Sequence, residues 1–328
     1  MSKTLMITGG AGFIGSNFIH LLINETDYTV INVDSLTYSG NLENLRSVEK
    51  NPRYAFCKAS INDRINIEKI LSSYKVDGII HFAAESHVDR SIESAALFFE
   101  TNVMGTLALL EAARSQGITR FLHVSTDEVY GTLGAEGYFT EETPLAPNSP
   151  YSSSKASSDL LVRSFVHTHN FPALITRCSN NYGPYQFPEK LIPRMIELAL
   201  QDKKLPVYGN GLNIRDWVYV KDHNIAVLDV FEKGKVGLVY NIGGNSEKTN
   251  IDVVKTILSI LNKNESLIEY VEDRKGHDFR YAIDTTFIQN ELEWKPTVSF
   301  EVGIEKTVSW YLENQEWMEN IRSGRYQQ

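Results

Sequence analysis

The chain is 328 residues long and 42% of it is hydrophobic, enough to bury one large core or two adjoining ones. A formal net charge of -9 excludes a nucleic-acid surface, which needs clustered Lys and Arg, and leaves any anionic ligand to be met by local cations. No apolar run approaches the roughly 18 to 20 residues of a membrane span, and the start MSKTLMITGG lacks the cationic and apolar segments of a signal peptide, so the expected location is the cytoplasm.

In chain order, residues Thr4 to Thr8, Thr29 to Val33, Tyr54 to Lys58, Gly78 to Ala83 and Phe121 to Ser125 read as strands, with amphipathic helical segments between them. That alternation is the pattern of a parallel sheet covered by helices on both faces. Ser94 to Gln116 carries apolar residues at helical spacing, stops at Gly117 and should cover one sheet face. After Cys178 the pattern loosens into NNYGPYQFPEK and YGNGLNIRDW, which read as loops, before regular patterns return at Val239 to Ile242 and Ile251 to Leu261. The last residues, RSGRYQQ, read as a disordered end. Cys57 and Cys178 sit inside strand-like runs and read as small buried hydrophobes.

The run TLMITGGAGFIGSNFIHLLI sets Gly9, Gly12 and Gly15 between a strand and an apolar helix, where the backbone can turn tightly and bring a pyrophosphate to the helix N-terminus. Asp34 ends the next strand 19 residues after Gly15, placed to accept hydrogen bonds from an adenosine ribose. A 2′-phosphate would meet its negative charge with no adjacent Arg, which favours NAD over NADP. The bland alternatives are a turn-forming Asp and a plain tight turn.

Tyr151 and Lys155 open the periodic stretch YSSSKASSDLLVRSFVHTH at i and i+4, on one helical face. A Tyr titrates near about pH 10, so a phenolate base at neutral pH needs a neighbouring positive charge, which Lys155 and an oxidised nicotinamide could supply. Alone, the pair would be an exposed helix edge. His167 and His169 would splay apart on that helix, and no metal site is expected.

TGGAGFIG, Asp34 and YSSSK together are similar to the extended short-chain dehydrogenase/reductase family. The resemblance implies an α/β fold: a Rossmann-type doubly wound parallel sheet over 1–179, with 217–245 returning to it, and a smaller α/β substrate-binding domain from 180–216 and 246–328. Within that family FLHVSTDEVYG, AAESHVDRS, NNYGPYQFPEKLIP and NIRDWVYVKDH resemble the nucleotide-sugar 4,6-dehydratases. Such an enzyme needs oxidation at C4, proton removal at C5, protonation of the departing C6 hydroxyl and reduction at C6, so two acids with separated pKa values suit it.

The resemblance implies Tyr151 as base at the C4 hydroxyl, Lys155 as its electrostatic partner, Thr126 as a positioning donor, Asp127 as acid and Glu128 as base. It implies NAD held by Gly9, Gly12, Phe13, Ile14, Gly15, Asp34, Ser35, Thr37, Ser60, Ile61, Ala83, Ala84, Thr101 and Asn181 beside Tyr151 and Lys155. It implies dTDP-glucose held by Ser86, Thr126, Asn180, Lys190, Leu191, Pro206, Tyr208, Arg215, Asn250, Arg274 and His277, and a homodimer formed through the apolar segment Ala95 to Ala113. The bland readings are a salt bridge of Arg215 with Asp216 and a helix cap at Asn250. Where relatives carry an Asp-Ile pair against adenine this chain has Ser60-Ile61, and the link from Gly131 to Pro150 is short. The rivals are another nucleotide-sugar 4,6-dehydratase, a UDP-sugar 4-epimerase, which has no need of Asp127 and Glu128, and a non-catalytic NAD-binding regulator, which would not need Tyr151 and Lys155.

Overall fold

The computed structural model describes residues 3–273 and 276–327. Strand β1 (Thr4–Thr8) leads into α1 (Phe13–Glu25), followed by β2 (Thr29–Asp34), β3 (Tyr54–Lys58), α2 (Arg64–Ser73) and β4 (Gly78–His81). Helices α3 (Val88–Glu93), α4 (Ala95–Phe99) and α5 (Thr106–Ser115) precede β5 (Arg120–Thr126), α6 (Pro150–His169) and β6 (Ala173–Cys178). Next come β7 (Asn180–Tyr182), α7 (Leu191–Leu200), β8 (Leu205–Tyr208), β9 (Ile214–Tyr219), α8 (Val220–Lys233) and β10 (Val239–Ile242). The chain closes with β11 (Glu247–Thr249), α9 (Asn250–Ile260), β12 (Ile268–Val271), α10 (Thr286–Leu292), α11 (Phe300–Glu313) and α12 (Gln315–Arg322).

Seven strands form one parallel sheet in the order β10-β6-β5-β4-β1-β2-β3. Strand side chains alternate between faces. Leu5 and Ile7 therefore enter one core with Phe18 and Leu22 of α1 and Val227 of α8, while Met6 and Ile31 enter the other with Ile67 of α2, Leu109 of α5 and Val162 of α6. This is the doubly wound α/β fold that the sequence pattern implied. Strand order reverses at β1, and the crevice that such a reversal opens lies beyond the carboxyl ends of the strands.

A smaller core gathers Tyr182, Trp217, Val254, Ile257, Ile304 and Tyr311 around the three-stranded sheet β11-β9-β7. Strand β7 and the first four residues of β9 fall inside runs that read as loops. Three residues of β7 are too few to show a period, and β9 is buried along its middle four residues, which removes the alternation. Ile288 of α10 and Trp294 pack into the core of the large sheet, late in the chain.

The segment Ser94 to Gln116 departs from a plain helix. Residues Glu100–Gly105 wind as a π-helix between α4 and α5, and Gly117 ends the run at φ +69°. By length and mean hydropathy Ala95–Ser115 passes as a membrane span, although Glu100, Thr101 and Asn102 interrupt its apolar run. Its buried Leu109, Leu110, Ala112 and Ala113 cover the sheet, and Phe98 packs against Tyr151 of α6. The last residues also differ from expectation: the Tyr326 hydroxyl donates to the Tyr38 carbonyl at 2.5 Å and its ring lies 6.1 Å from Phe187. One aromatic anchor fastens an otherwise polar end that composition marks as frayed.

Candidate active site

Beyond β1 the chain turns at Gly9, φ +70°, whose N–H donates to the Val33 carbonyl at 2.9 Å. A side chain at Gly9 would put its Cβ 2.6 Å from the Ala83 nitrogen, and one at Gly15 would lie 2.3 Å from the Gly9 oxygen. Both positions are closed to anything larger. At Gly12 a Cβ would meet only the Gly9 oxygen, at 3.3 Å, and its free side faces a cavity of about 430 Å³. Gly12 is also the N-cap of α1, with no side chain capping the first turn. The orphan N–H groups of that turn, at the positive end of the helix dipole, suit a pyrophosphate.

Asp34 is fixed by the Ala11 N–H at 3.0 Å and the Leu36 N–H at 2.8 Å, one on each carboxyl oxygen. Each oxygen keeps lone-pair capacity for a ribose hydroxyl. Phe13, Ile14, Ser35, Thr37, Ser60, Ile61, Ala83, Ala84, Thr101 and Asn181 line the same cavity. The residues present therefore fit a dinucleotide. Gly15→Val is expected to abolish cofactor retention, read as loss of nicotinamide absorbance from the purified protein, with a lowered melting temperature because the α1 turn must move.

At the other end of the cavity stand Tyr151 and Lys155. A capping box seats them: the Ser149 hydroxyl accepts from the Ser152 N–H at 3.0 Å, the Ser152 hydroxyl accepts from the Ser149 N–H at 3.0 Å, and Pro150 occupies the first turn. The Lys155 ammonium donates to the Val124 carbonyl at 2.9 Å. Burial depresses its pKa to about 8, against the opposing pull of Asp159, so the charged form still predominates at neutral pH. Burial, with the Glu128 carboxylate next, holds the Tyr151 phenol well above its ordinary value, and the Thr126 hydroxyl opposes this. Cys178 also lines the cavity, but burial pushes its thiol up to about 12 and its Sγ faces the Ser125 carbonyl, so it stays inert.

Strand β5 ends at Thr126 and the backbone tightens into a 3-10 turn over Asp127–Tyr130, so the two acids no longer alternate as strand residues would. Thr126 and Glu128 reach the cavity wall. Asp127 sits behind it, 2% exposed, its Oδ2 without a hydrogen-bond partner. Burial first, then Glu128 and Asp216, raise its carboxyl well above the usual carboxylate range, against Arg215. That environment favours the neutral form of Asp127 beside a second carboxyl group, the arrangement that lets one donate a proton while the other accepts.

Ser86, Asn180 and Lys190 line the cavity, and the Lys190 ammonium donates to the Ser86 carbonyl at 2.8 Å. Leu191 opens α7 just beyond them. Arg215, 5% exposed, donates through Nη1 to the Ile214 carbonyl at 2.7 Å and through Nη2 to the Asp278 carbonyl at 2.9 Å, with its guanidinium 4.4 Å from the Tyr281 ring centre. Asp216 beside it accepts from the Gly244 and Ser246 N–H groups. Asn250 opens α9 rather than capping it; the cap is Thr249, whose hydroxyl accepts from the Asp252 N–H at 3.1 Å. Around the β8–β9 turn lie Pro206, Tyr208 and His277, with the Tyr208 ring 6.4 Å from His277 and His277 Nδ1 2.6 Å from Asp273. Arg274 lies outside the described residues.

A family model described as GDP-mannose 4,6 dehydratase matches residues 6–307. A curated dTDP-glucose 4,6-dehydratase from Neisseria meningitidis serogroup B is 51% identical, covering 99% of this chain and 97% of the relative. The solved dTDP-glucose 4,6-dehydratase of Bacillus anthracis, in complex with NAD, superposes with a TM-score of 0.92 at 51% identity over 98% of this chain and 100% of that one. The chain belongs to the dTDP-glucose 4,6-dehydratase family. A further member from Streptomyces venezuelae, solved with NAD and a dTDP ligand, gives a TM-score of 0.94 at 48% identity over 97% of this chain and 99% of that one.

In this dehydratase fold some cavity features have no counterpart in the motif reading. The Arg90 guanidinium lies 3.8 Å from the centre of the Tyr38 ring and its Nη2 is 3.1 Å from Glu189, joining two stretches of the cavity wall. Arg90 and Glu189 fall inside AAESHVDRS and NNYGPYQFPEKLIP, but no spacing rule links positions 38, 90 and 189. The π-helical stretch is also legible only in three dimensions: Thr101 faces the cavity while the next residue, Asn102, accepts from the Glu85 N–H at 2.8 Å and donates to the Glu85 carbonyl at 3.0 Å.

Proposed function

We propose that this protein converts dTDP-glucose to dTDP-4-keto-6-deoxyglucose and water, as an NAD-dependent hydro-lyase. The observation that carries the reading is Asp127, buried with one carboxyl oxygen unpartnered, directly behind Glu128 on the wall that also bears Tyr151 and Lys155. A 4-epimerase has work for the Tyr-Lys pair but none for the two acids.

NAD, when bound, would supply the hydride acceptor for C4 and the hydride donor for C6, and Lys155, with the charge of the oxidised ring, would draw the Tyr151 phenol down. Gly12, Phe13 and Ile14 would hold its pyrophosphate and Asp34 its adenosine ribose. Tyr151 accepts the C4 hydroxyl proton, with Thr126 orienting that oxygen. The C4 ketone acidifies C5, so Glu128 can remove the C5 proton while Asp127 protonates the departing C6 oxygen. Ser86, Asn180, Lys190, Leu191, Pro206, Tyr208, Arg215, Asn250 and His277, with Arg274, are proposed to hold the sugar nucleotide.

We assign residues 1–179 and 217–245 to the nucleotide-binding domain, and 180–216 with 246–328 to the sugar-nucleotide domain. The reaction is proposed to serve cytoplasmic deoxysugar synthesis of the dTDP-rhamnose type. Exposed Leu97, Phe99 and Met104 on the apolar segment support a homodimer through that face. Incubation of purified protein with dTDP-glucose, followed by mass spectrometry, should show loss of one water. An unchanged mass with conversion to the galactose isomer would replace the reading with epimerisation.

A further inference from the structure

We propose that Tyr130, clamped between Arg177 and Asn241, is a positioning residue that sets the Asp127–Glu128 turn for water elimination. The inference rests on the functional reading above.

A 3-10 turn has poorer hydrogen-bond geometry than an α-helix, so the direction of side chains on a four-residue turn depends on what holds its ends. At the start of this turn the Thr126 hydroxyl accepts from the Glu128 N–H at a long 3.3 Å. The firmer hold is at the other end. The Tyr130 hydroxyl accepts from Arg177 Nη1 at 2.9 Å and donates to Asn241 Oδ1 at 2.8 Å, while its ring stacks on Phe139 with centroids 5.1 Å apart. Next to it Gly131 turns at φ +88°, with no room for a Cβ, which would lie 2.3 Å from the Ala146 oxygen.

The clamp has its own anchors. Arg177 Nε donates to Asp159 Oδ2 at 2.9 Å, and Asp159 lies one helical turn past Lys155 and two past Tyr151 on α6, on the same face. Asn241 is fixed by its N–H to Glu141 at 2.9 Å and by its Nδ2 to the Phe139 carbonyl at 3.2 Å. A buried chain Asp159–Arg177–Tyr130–Asn241 thus runs from the helix that carries the Tyr-Lys pair, through β6 and the acid turn, to β10. None of these four residues lines the cofactor cavity, so each acts through others. Well-packed apolar side chains would hold the fold at least as well as a buried ion pair, which points to geometry rather than bulk stability as its use here.

The test is Tyr130→Phe, which keeps the ring and its stack on Phe139 and removes only the hydroxyl. Bound NAD and KM for dTDP-glucose should stay at wild-type values, while kcat for water loss falls between about 10- and 100-fold, the scale of a misplacement near 1 Å. In a single turnover, reduced nicotinamide should appear at the wild-type rate and then persist, because Tyr151 and Lys155 remain seated and only the later C5–H and C6–O cleavages are slowed. Asn241→Ala, which removes the acceptor of the Tyr130 hydroxyl, should give the same split and serves if the phenylalanine variant does not purify folded. Water loss at the wild-type rate, or oxidation and elimination slowing together, would overturn the role of Tyr130. Absence of water loss from the wild-type protein in the same assay would instead strike the functional reading.

Discussion

Tyr151→Phe should stop the reaction before its first bond is broken, lowering turnover about 10²- to 10⁴-fold, the range typical of a lost proton acceptor. The substitution removes one oxygen from a residue that is 8% exposed and packed edge-on against Phe98 at 6.3 Å, so the ring keeps its place. NAD content and melting temperature should remain close to wild type. Lys155→Met should act at the same step, for a different reason: it deletes the buried cation and leaves the Val124 carbonyl without its donor. The check is a single-turnover experiment with dTDP-glucose. Neither variant should develop the near-ultraviolet absorbance of reduced nicotinamide; its appearance at the wild-type rate would remove both residues from the oxidation step.

Asp127→Asn and Glu128→Gln should give the opposite pattern, in which reduced nicotinamide accumulates but water is not lost, with turnover down about 10²- to 10⁴-fold. Burial and its acidic neighbours push the Asp127 carboxyl toward its neutral form, so an uncharged amide of the same shape should be tolerated, and its melting temperature should be at least that of wild type. What the amide lacks is a proton acidic enough to transfer to the C6 oxygen. Glu128→Gln lacks the base, so deuterium from heavy water should no longer enter C5, whereas Asp127→Asn should still exchange there. Exchange lost in Asp127→Asn and kept in Glu128→Gln would reverse the two roles.

Much of the cofactor half was legible in sequence because its signals are local. Gly9, Gly12 and Gly15 announce themselves by spacing, and the structure adds the reason: at two of them a Cβ would strike neighbouring backbone at 2.6 and 2.3 Å. Tyr151 and Lys155 share a face because a helix repeats every 3.6 residues, and Ser149 with Pro150 starts that helix where it must begin. The sugar-nucleotide half was less legible. Tyr208 and His277 meet although they lie far apart in the chain, the Asn250 N–H reaches the Asn213 carbonyl, and Arg215 is wedged under main-chain carbonyls that no periodicity reveals.

The same division separates the acids. Their presence as Asp127-Glu128 after a strand is a fact of sequence, but consecutive strand residues point to opposite faces. Only the turn after Thr126 puts Glu128 on the cavity wall and Asp127 behind it, and only burial together with the neighbouring Glu128 and Asp216 pushes Asp127 toward its neutral form. Sequence by itself determined the parallel sheet, the dinucleotide loop and the Tyr-Lys helix, since each rests on residue type at short, fixed spacing, and the resemblance of its longer motifs pointed to the dehydratase family. Tertiary structure decided the protonation of the acids, the tie of Tyr130 to Arg177 and Asn241, and the anchoring of the chain end by Tyr326, because desolvation and long-range hydrogen bonds depend on which distant segments the fold packs together.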